Sequence, residues 1–244
     1  MAAPWATNTS SVRPTEDGEH GINRHHGDLI SALDNYVTPI VCGCGIIGNI
    51  LNLIILNRKK FQKSEGGKES GAHIGLVFLA VSDLIFCLTL FPRFILASHK
   101  SVFTGKDFRL FYQMYSTGII TTCILVSTWL IVTLAVMRYI AICYPFKIRA
   151  FSGRGFNTSL YAVVSLVCVL ANLPSFWQYK LVELGMPQAD YILDIGYMNN
   201  DLPRGKAFLW VRVITGTFIP AAMLIFCNLS LIVALQRSYK MRQQ

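Results

Sequence analysis

The sequence predicts an all-α fold, a polytopic membrane bundle of five spanning helices, and three observations support that prediction. First, 53% of the 244 residues are apolar and only 14% are charged, whereas soluble domains carry about 25% charged residues. Second, five apolar runs are long enough to cross a bilayer, which takes roughly 20 helical residues. Third, much of the net charge of +9 follows the first, third and fifth runs. The composition argues against a soluble enzyme and excludes a disordered or disulfide-rich chain.

The five apolar runs are the predicted spans. None shows the strict alternation of apolar and polar residues that marks a barrel strand, so the spans are expected to be helices. The second is expected to continue past Pro92. The spans are residues 38–56, 74–91, 114–136, 158–177 and 213–235.

Basic residues set the orientation, because short cytoplasmic loops are enriched in Lys and Arg. The segments after spans one, three and five are basic, whereas the leader and the loop after span four also contain several acidic residues. The N-terminus is therefore expected outside and the C-terminus inside. The positive charge reflects this topology, so no nucleic-acid partner is expected. The basic residues are Arg58, Lys59, Lys60, Lys63 and Lys68, then Arg138, Lys147, Arg149 and Arg154, and finally Arg237, Lys240 and Arg242.

Three parts follow one another along the chain. Residues 1–35 form a polar extracellular leader, which is expected to be disordered and lacks the apolar core of a cleavable signal peptide. Its Asn-Thr-Ser sequon makes Asn8 the expected glycosylation acceptor. Residues 36–238 hold the spans and their loops, and residues 239–244 begin a third cytoplasmic loop.

All seven cysteines fall within spans except Cys143, which is expected to be cytoplasmic. None lies in an extracellular segment, so no disulfide is expected on that side. Cys42 and Cys44 are close enough in sequence to suggest a metal site, but no His or acidic residue accompanies them in the span. We therefore expect no metal site and interpret this segment as a place of close helix packing.

Asp83 is the only acidic residue inside a predicted span, and an ionisable residue at that depth is a functional hypothesis by default. It lies about ten residues into span two, or ~15 Å at 1.5 Å per residue. An isolated carboxylate there is protonated, or it needs a cation or hydrogen-bond donors. Asn49 in span one and Ser127 in span three could supply donors. Two interpretations stay open: a neutral Asp83 that ties helices together, and a cation site or protonation switch.

Three arginines lie at span edges: Arg93 after Pro92, Arg138 at the end of span three, and Arg212 at the start of span five. For Arg93 and Arg212 we favour extension of the side chain to the lipid headgroups. The alternative is that both face the bundle and bind an anionic group of a ligand, such as a carboxylate. Pro220 is expected to kink span five, which opens space between helices for a ligand.

Four motifs occur in register on four spans. They are Gly48-Asn49 in span one, Leu79-Ala80-Val81-Ser82-Asp83 in span two, the run from Met137 to Lys147 (MRYIAICYPFK) after span three, and Phe218-Ile219-Pro220 in span five. Together they resemble the rhodopsin-like (class A) G-protein-coupled receptors, over residues 36–244. The run after span three, with Trp129 and Cys227-Asn228, is similar to that of neuropeptide receptors. Ile120 stands where amine receptors carry their ligand-binding aspartate, which disfavours an amine ligand.

The resemblance implies a role for each candidate residue. It implies a sodium ion as the one cofactor, a heterotrimeric G protein and an extracellular peptide ligand as partners, and the plasma membrane as location. The residues are Asn49, Asp83 and Ser127 for the sodium pocket and activation network; Arg138, Tyr139, Pro145 and Phe146 for G-protein coupling; Arg93, Ile120 and Arg212 for the ligand pocket; and Pro220 for the helix kink.

Several positions depart from the family pattern. Met137 replaces the acid that normally precedes the arginine, so the clamp on Arg138 is missing and raised basal activity is expected. Gln113 stands where a cysteine usually anchors the outer loop, so that loop is held by packing alone or is mobile. Ser165 lies near the place of the usual helix-four tryptophan. The sequence holds five of the seven expected helices.

Two functional hypotheses follow from these observations. The first is a peptide receptor that passes extracellular binding to a G protein by helix rearrangement, with no bond made or broken and hence no enzyme activity. The second is a truncated five-span isoform or fragment that does not signal and modulates full-length receptors. A transporter is disfavoured because one half of the sequence does not repeat the other.

Overall fold

The computed structural model describes residues 36–58, 70–98, 106–144, 154–184, 190–197 and 202–242. The chain divides into two compact units, Met1–Ile40 and Val41–Gln244. The first unit is described only at residues 36–40, so the predicted leader and Asn8 lie outside the described residues.

Five helices in the described part of the chain are long and apolar enough to cross a membrane, which confirms the predicted helical membrane fold. The first has the predicted bounds, and the next three extend beyond the predicted apolar runs into polar residues. The helices are α1 Thr38–Leu56, α2 Ser70–Ser98, α3 Lys106–Cys143, α4 Arg154–Asn172 with a 3-10 continuation Leu173–Trp177, and α5, which comprises Pro203–Val213, the π-helical segment Ile214–Phe218 and Ile219–Arg242.

Helix α5 begins at Pro203 and not at residue 213 as predicted. The charged side chains between these positions end a hydropathy window, but they do not end a helix. Pro203 can open the helix because its missing N–H has no partner in the first turn and its φ is already helical. Arg212 therefore lies inside α5, about nine residues or ~14 Å from its start. At the other end, residues 239–242 of the predicted cytoplasmic loop are helical.

The backbone of α5 is distorted where the sequence predicts a kink. Pro220 is buried and follows the π-helical segment Ile214–Phe218. Proline lacks the N–H that would continue the hydrogen-bond ladder, and π-helical turns inside α-helices are frequent at functional sites.

A β-hairpin that the sequence analysis did not predict joins α4 to α5. Strands β1 (Tyr179–Leu184) and β2 (Asp190–Ile195) pair antiparallel and contact α3. Lys180 Nζ lies 3.4 Å from Asp194 Oδ2 across the hairpin. All seven cysteines are free thiols, so no disulfide anchors this loop, and its two strands pack against α3.

Helix α3 is the centre of the packing and contacts α2, α4 and α5. Its fully buried Leu130 belongs to a core cluster that also includes Leu134 and the α4 residue Tyr161. The α2 residue Phe78 stacks on Tyr161 with 6.2 Å between ring centroids. Helices α2, α3 and α4 therefore form the framework on which the candidate site is built.

Candidate ligand-binding and activation site

Asp83 of α2 meets α3 at Ser127. The hydroxyl of Ser127 donates a hydrogen bond to Asp83 Oδ1 at 2.6 Å and lies 3.0 Å from Ser82 Oγ. Ser82, which is buried, donates to the carbonyl oxygen of Cys123 at 3.4 Å. The three oxygens of Asp83, Ser127 and Ser82 thus form one polar cluster between two apolar helices, which satisfies part of the demand of a carboxylate at this depth.

The oxygen atoms of this cluster are suitable ligands for a hard cation. One carboxylate and two hydroxyl groups offer oxygen ligands, which hard cations prefer over nitrogen or sulfur. Asn49 lies on α1 and is half-buried, but within the part of the chain that the structure describes it makes no hydrogen bond with Asp83. The structure therefore brings Asp83 and Ser127 together and leaves Asn49 outside their cluster.

The side chain of Arg93 turns towards α3. Its Nη1 donates to Thr117 Oγ1 at 3.3 Å. Near it, the hydroxyl of Tyr112 donates to the carbonyl oxygen of Thr89 at 2.5 Å. The guanidinium can reach α3 because α2 continues through Pro92 to Ser98. Arg93 and Tyr112 thus tie α2 to α3 about two to three turns beyond Asp83.

Arg212 lines two cavities, one on each side of its position on α5. A cavity of about 240 Å³ lies between α3 and α5 and includes Thr121, Ile124 and Thr217. A second cavity of about 400 Å³ lies among α3, α4 and α5. No carboxylate of the described residues lies within salt-bridge distance of Arg212. The guanidinium is thus available to an anionic group.

The three ligand-pocket candidates are not equivalent in the structure. Arg93 reaches Thr117, and Arg212 shares a cavity with Thr121, one turn further along the same helix. Ile120 lies between them on α3 but lines neither of the two cavities described above. The two arginines therefore approach neighbouring turns of α3 from α2 and from α5.

A buried asparagine that the sequence analysis missed joins α4 to α3. Asn172 is 1% exposed, and its Nδ2 donates to the hydroxyl groups of Thr121 and Thr122 at 2.9 and 2.8 Å. Its Oδ1 accepts a hydrogen bond from Ser175 at 2.8 Å. The available signal was a polar amide inside an apolar span, the same signal that drew attention to Asn49. This network fixes the α3 segment that lines the α3–α5 cavity.

The cytoplasmic end of α3 presents Arg138 and Tyr139 differently. Arg138 is exposed, and the preceding Met137 offers it no charge. The Tyr139 ring packs edge-on against Phe226 of α5 and Tyr144, with centroids 6.0 and 6.1 Å apart. Tyr139 thus connects α3 to α5, while Arg138 stays accessible. Pro145 and Phe146 lie outside the described residues.

Comparison with known proteins matches this chain to membrane receptors. The model of the 7 transmembrane receptor (rhodopsin family) domain matches residues 48–244. A probable G-protein coupled receptor of Caenorhabditis elegans is 26% identical over 86% of this chain and 48% of its own length. The FMRFamide receptor of Drosophila melanogaster is 27% identical over 84% of this chain and 38% of its own. The neurotensin receptor type 1 of Rattus norvegicus is 29% identical over 71% and 39%. The chain spans about half or less of the length of these relatives.

Proposed function

Because the chain belongs to the rhodopsin family of seven-transmembrane receptors, we propose that it receives an extracellular peptide and passes that binding to a heterotrimeric G protein by helix rearrangement. It is a multi-pass membrane protein, and proteins of this family are receptors and not, in general, enzymes. We place it in the plasma membrane with its N-terminus outside. The proposal of a peptide ligand is supported by the relatives named as FMRFamide and neurotensin receptors.

The observation that carries the proposal is the short hydrogen bond of 2.6 Å between Ser127 and Asp83. A carboxylate joined to a neighbouring helix deep in the membrane couples its charge state to the helix arrangement. A sodium ion bound by Asp83, Ser127 and Ser82 would stabilise one arrangement, and a ligand that favours another would release it. We therefore assign the sodium and activation role to Asp83 and Ser127.

The ligand that we propose carries an anionic group. Arg93 and Arg212 approach neighbouring turns of α3, and a guanidinium pairs with a carboxylate through two parallel hydrogen bonds. A carboxyl group is therefore favoured over a neutral amide at the end of the peptide that enters the cavity.

Two matched peptides test this preference. The amide Phe-Met-Arg-Phe-NH2 and the corresponding free acid differ only at the terminal group. We expect the free acid to bind the full chain roughly ten-fold more tightly, the scale of one charge-assisted hydrogen bond. Arg93→Gln combined with Arg212→Gln should remove that difference. Arg204→Gln serves as the control, because Arg204 is exposed and stacks on Tyr197. A difference that persists in the double variant would contradict the assignment.

At the cytoplasmic end we propose that Arg138 enters the G protein when the helices separate. Arg138 is exposed, whereas Tyr139 is held by aromatic contacts. Pro145 and Phe146 would dock on the same partner. A nucleotide-exchange assay with purified G protein tests this role: Arg138→Ala should abolish exchange stimulated by the chain, and exchange at the unchanged rate would contradict it.

A second function is favoured by the exposed apolar faces of α1 and α5, since Ile47 of α1 is 62% exposed and Phe218 of α5 is 61% exposed. These faces could pair with a full-length receptor, and the chain would then modulate that receptor without signalling. Coexpression with a full-length relative distinguishes the two functions. Altered surface delivery of the relative, without any response of the chain to peptide, would support the second function and contradict the first.

A further inference from the structure

The second cavity lined by Arg212 is a groove among α3, α4 and α5, with a volume of about 400 Å³. This volume falls within the range of small-molecule sites, ~300–1,000 Å³. The mouth of the groove is apolar and open, since Val163, Val167 and Val211 are 56–57% exposed. Along α4 it extends from Val163 to Asn172, or ~14 Å at 1.5 Å per residue. A groove parallel to a spanning helix runs in the direction of lipid chains.

Three hydrophilic side chains line this groove, and two of them already have their hydrogen bonds. Asn172 uses its amide group on α3 and its carbonyl oxygen on Ser175. Thr215 donates its hydroxyl hydrogen to the carbonyl oxygen of Val211 at 2.8 Å. Arg212 is the third, and no described carboxylate lies within salt-bridge distance. Arg212 therefore contributes the one formal charge among the residues that line the groove, and the rest of the lining is mostly apolar.

A guanidinium on a helix that faces hydrocarbon is costly unless an anion accompanies it. The lining matches an amphiphile with one acyl chain and one carboxylate, because the apolar length accommodates the chain and the Arg212 guanidinium can donate a hydrogen bond to each carboxylate oxygen. A phospholipid fits less well, since it brings two chains to a groove of this volume. We propose that this groove binds a long-chain fatty acid, with its carboxylate paired to Arg212 and its chain against Val163 and Val167.

This binding is separate from the response to a peptide, because it is measured without a peptide or a G protein. The groove and the α3–α5 cavity share Arg212. A fatty acid in the groove would thus compete with the anionic group of a peptide for one guanidinium. Failure of the peptide proposal leaves the fatty-acid site standing, and the reverse also holds.

The test uses the full chain in phosphatidylcholine nanodiscs and a photoreactive palmitic acid with a diazirine in its chain. Labelled residues are identified by mass spectrometry, and unlabelled competitors measure affinity. We expect labelling at the groove residues Val163 and Val167. Palmitic acid should compete roughly ten-fold better than hexadecanol, which has the same chain without the charge.

Two variants test separately the space for the acyl chain and the positive charge that would bind the carboxylate. Ala171→Trp should fill the groove and reduce labelling at least ten-fold, whereas Leu170→Trp should leave it unchanged, because Leu170 is exposed and does not line the groove. Arg212→Gln should make palmitic acid and hexadecanol equal competitors, and Arg204→Gln should not. If Ala171→Trp does not fold, the Arg212→Gln comparison alone decides.

Four results would overturn the proposal. They are equal competition by hexadecanol in the unchanged protein, labelling that Ala171→Trp does not reduce, stronger competition by phosphatidylglycerol than by palmitic acid, and cross-links between two copies of the chain through α4 and α5 that exclude the probe.

Discussion

Helices α2, α3 and α4 bury side chains against one another, whereas α1 and α5 present apolar side chains over much of their surface. Leu130 of α3 and Tyr161 of α4 are fully buried, while Cys42 is the one buried residue of α1. The polar contacts follow the same division, since Asp83 and Asn172 both bond to α3. The buried contacts of the described residues are therefore concentrated around α3. The outer faces of α1 and α5 are left for lipid or for further protein.

The largest effect is expected from a deletion in the α3 core. Leu130→Ala leaves a cavity in a fully buried position, and such changes cost about 2–5 kcal/mol of unfolding free energy. Leu229→Ala on α5, where the side chain is 58% exposed, is the matched control and should cost far less. Thermal unfolding of the purified chain in detergent measures both. Equal losses for the two variants would show that the division between core and periphery is wrong.

Glycine substitutions sharpen the same comparison. A Cβ on Gly75 of α2 would lie 2.6 Å from Leu134 Cδ2 and from Tyr161 Cζ, whereas a Cβ on Gly43 of α1 meets no atom within 4 Å. Gly75→Ala should therefore destabilise the protein by about 1–3 kcal/mol through overpacking. Gly43→Ala should be neutral or stabilising, because Ala favours the helix by up to about 1 kcal/mol. Thermal unfolding of both variants tests this, and a stable Gly75→Ala would contradict close packing of α2 on α3 and α4.

A smaller effect is expected at the polar cluster. Ser127→Ala removes the donor to Asp83 and should cost about 1–2 kcal/mol, since the carboxylate loses a charge-assisted hydrogen bond. Thr128→Ala is the neighbouring control, because the one hydrogen bond of the Thr128 side chain to a described residue is to the carbonyl oxygen of Ile124 in its own helix. The same unfolding assay separates the two. If Thr128→Ala costs as much as Ser127→Ala, the contact between Ser127 and Asp83 contributes nothing specific.

The smallest effect concerns the exposed end of α3. Met137→Asp would supply the acidic neighbour that Arg138 lacks, and basal G-protein activation should fall about two- to five-fold, as expected for an exposed ion pair. Met137→Leu is the control. Measurement of nucleotide exchange without ligand decides, and unchanged basal activity in Met137→Asp would contradict the missing-clamp explanation.

Much of the fold could be predicted because a helix that crosses a bilayer needs a long run of apolar residues, and hydropathy detects such runs directly. The bounds of α1 were predicted correctly. The side chain of Ser127 reaches Asp83, a contact expected from the need of Asp83 for a donor and from the family resemblance. The start of α5 could not be predicted from hydropathy alone, because Arg212 and the other cations before residue 213 are polar residues in good helical positions.

Other features depend on contacts that no local pattern records. The β-hairpin between α4 and α5 consists of two short strands that pair with each other and contact α3. Tyr139 meets Phe226 only because α3 and α5 pack together. Asn172 was overlooked because a neutral amide attracts less attention than a carboxylate, although it makes more hydrogen bonds than Asp83 does among the described residues.

The assignment of Asp83 and Ser127 as the sodium and activation site is tested most directly by the salt dependence of thermal unfolding. The Tm of the full chain is measured in sodium chloride and in choline chloride at equal ionic strength, which removes general screening. A ligand that binds only the folded state raises its stability, so we predict a higher Tm in sodium chloride, an effect that Asp83→Asn abolishes and Arg204→Gln retains. Equal Tm values in the two salts, or a sodium effect that survives in Asp83→Asn, would contradict the assignment.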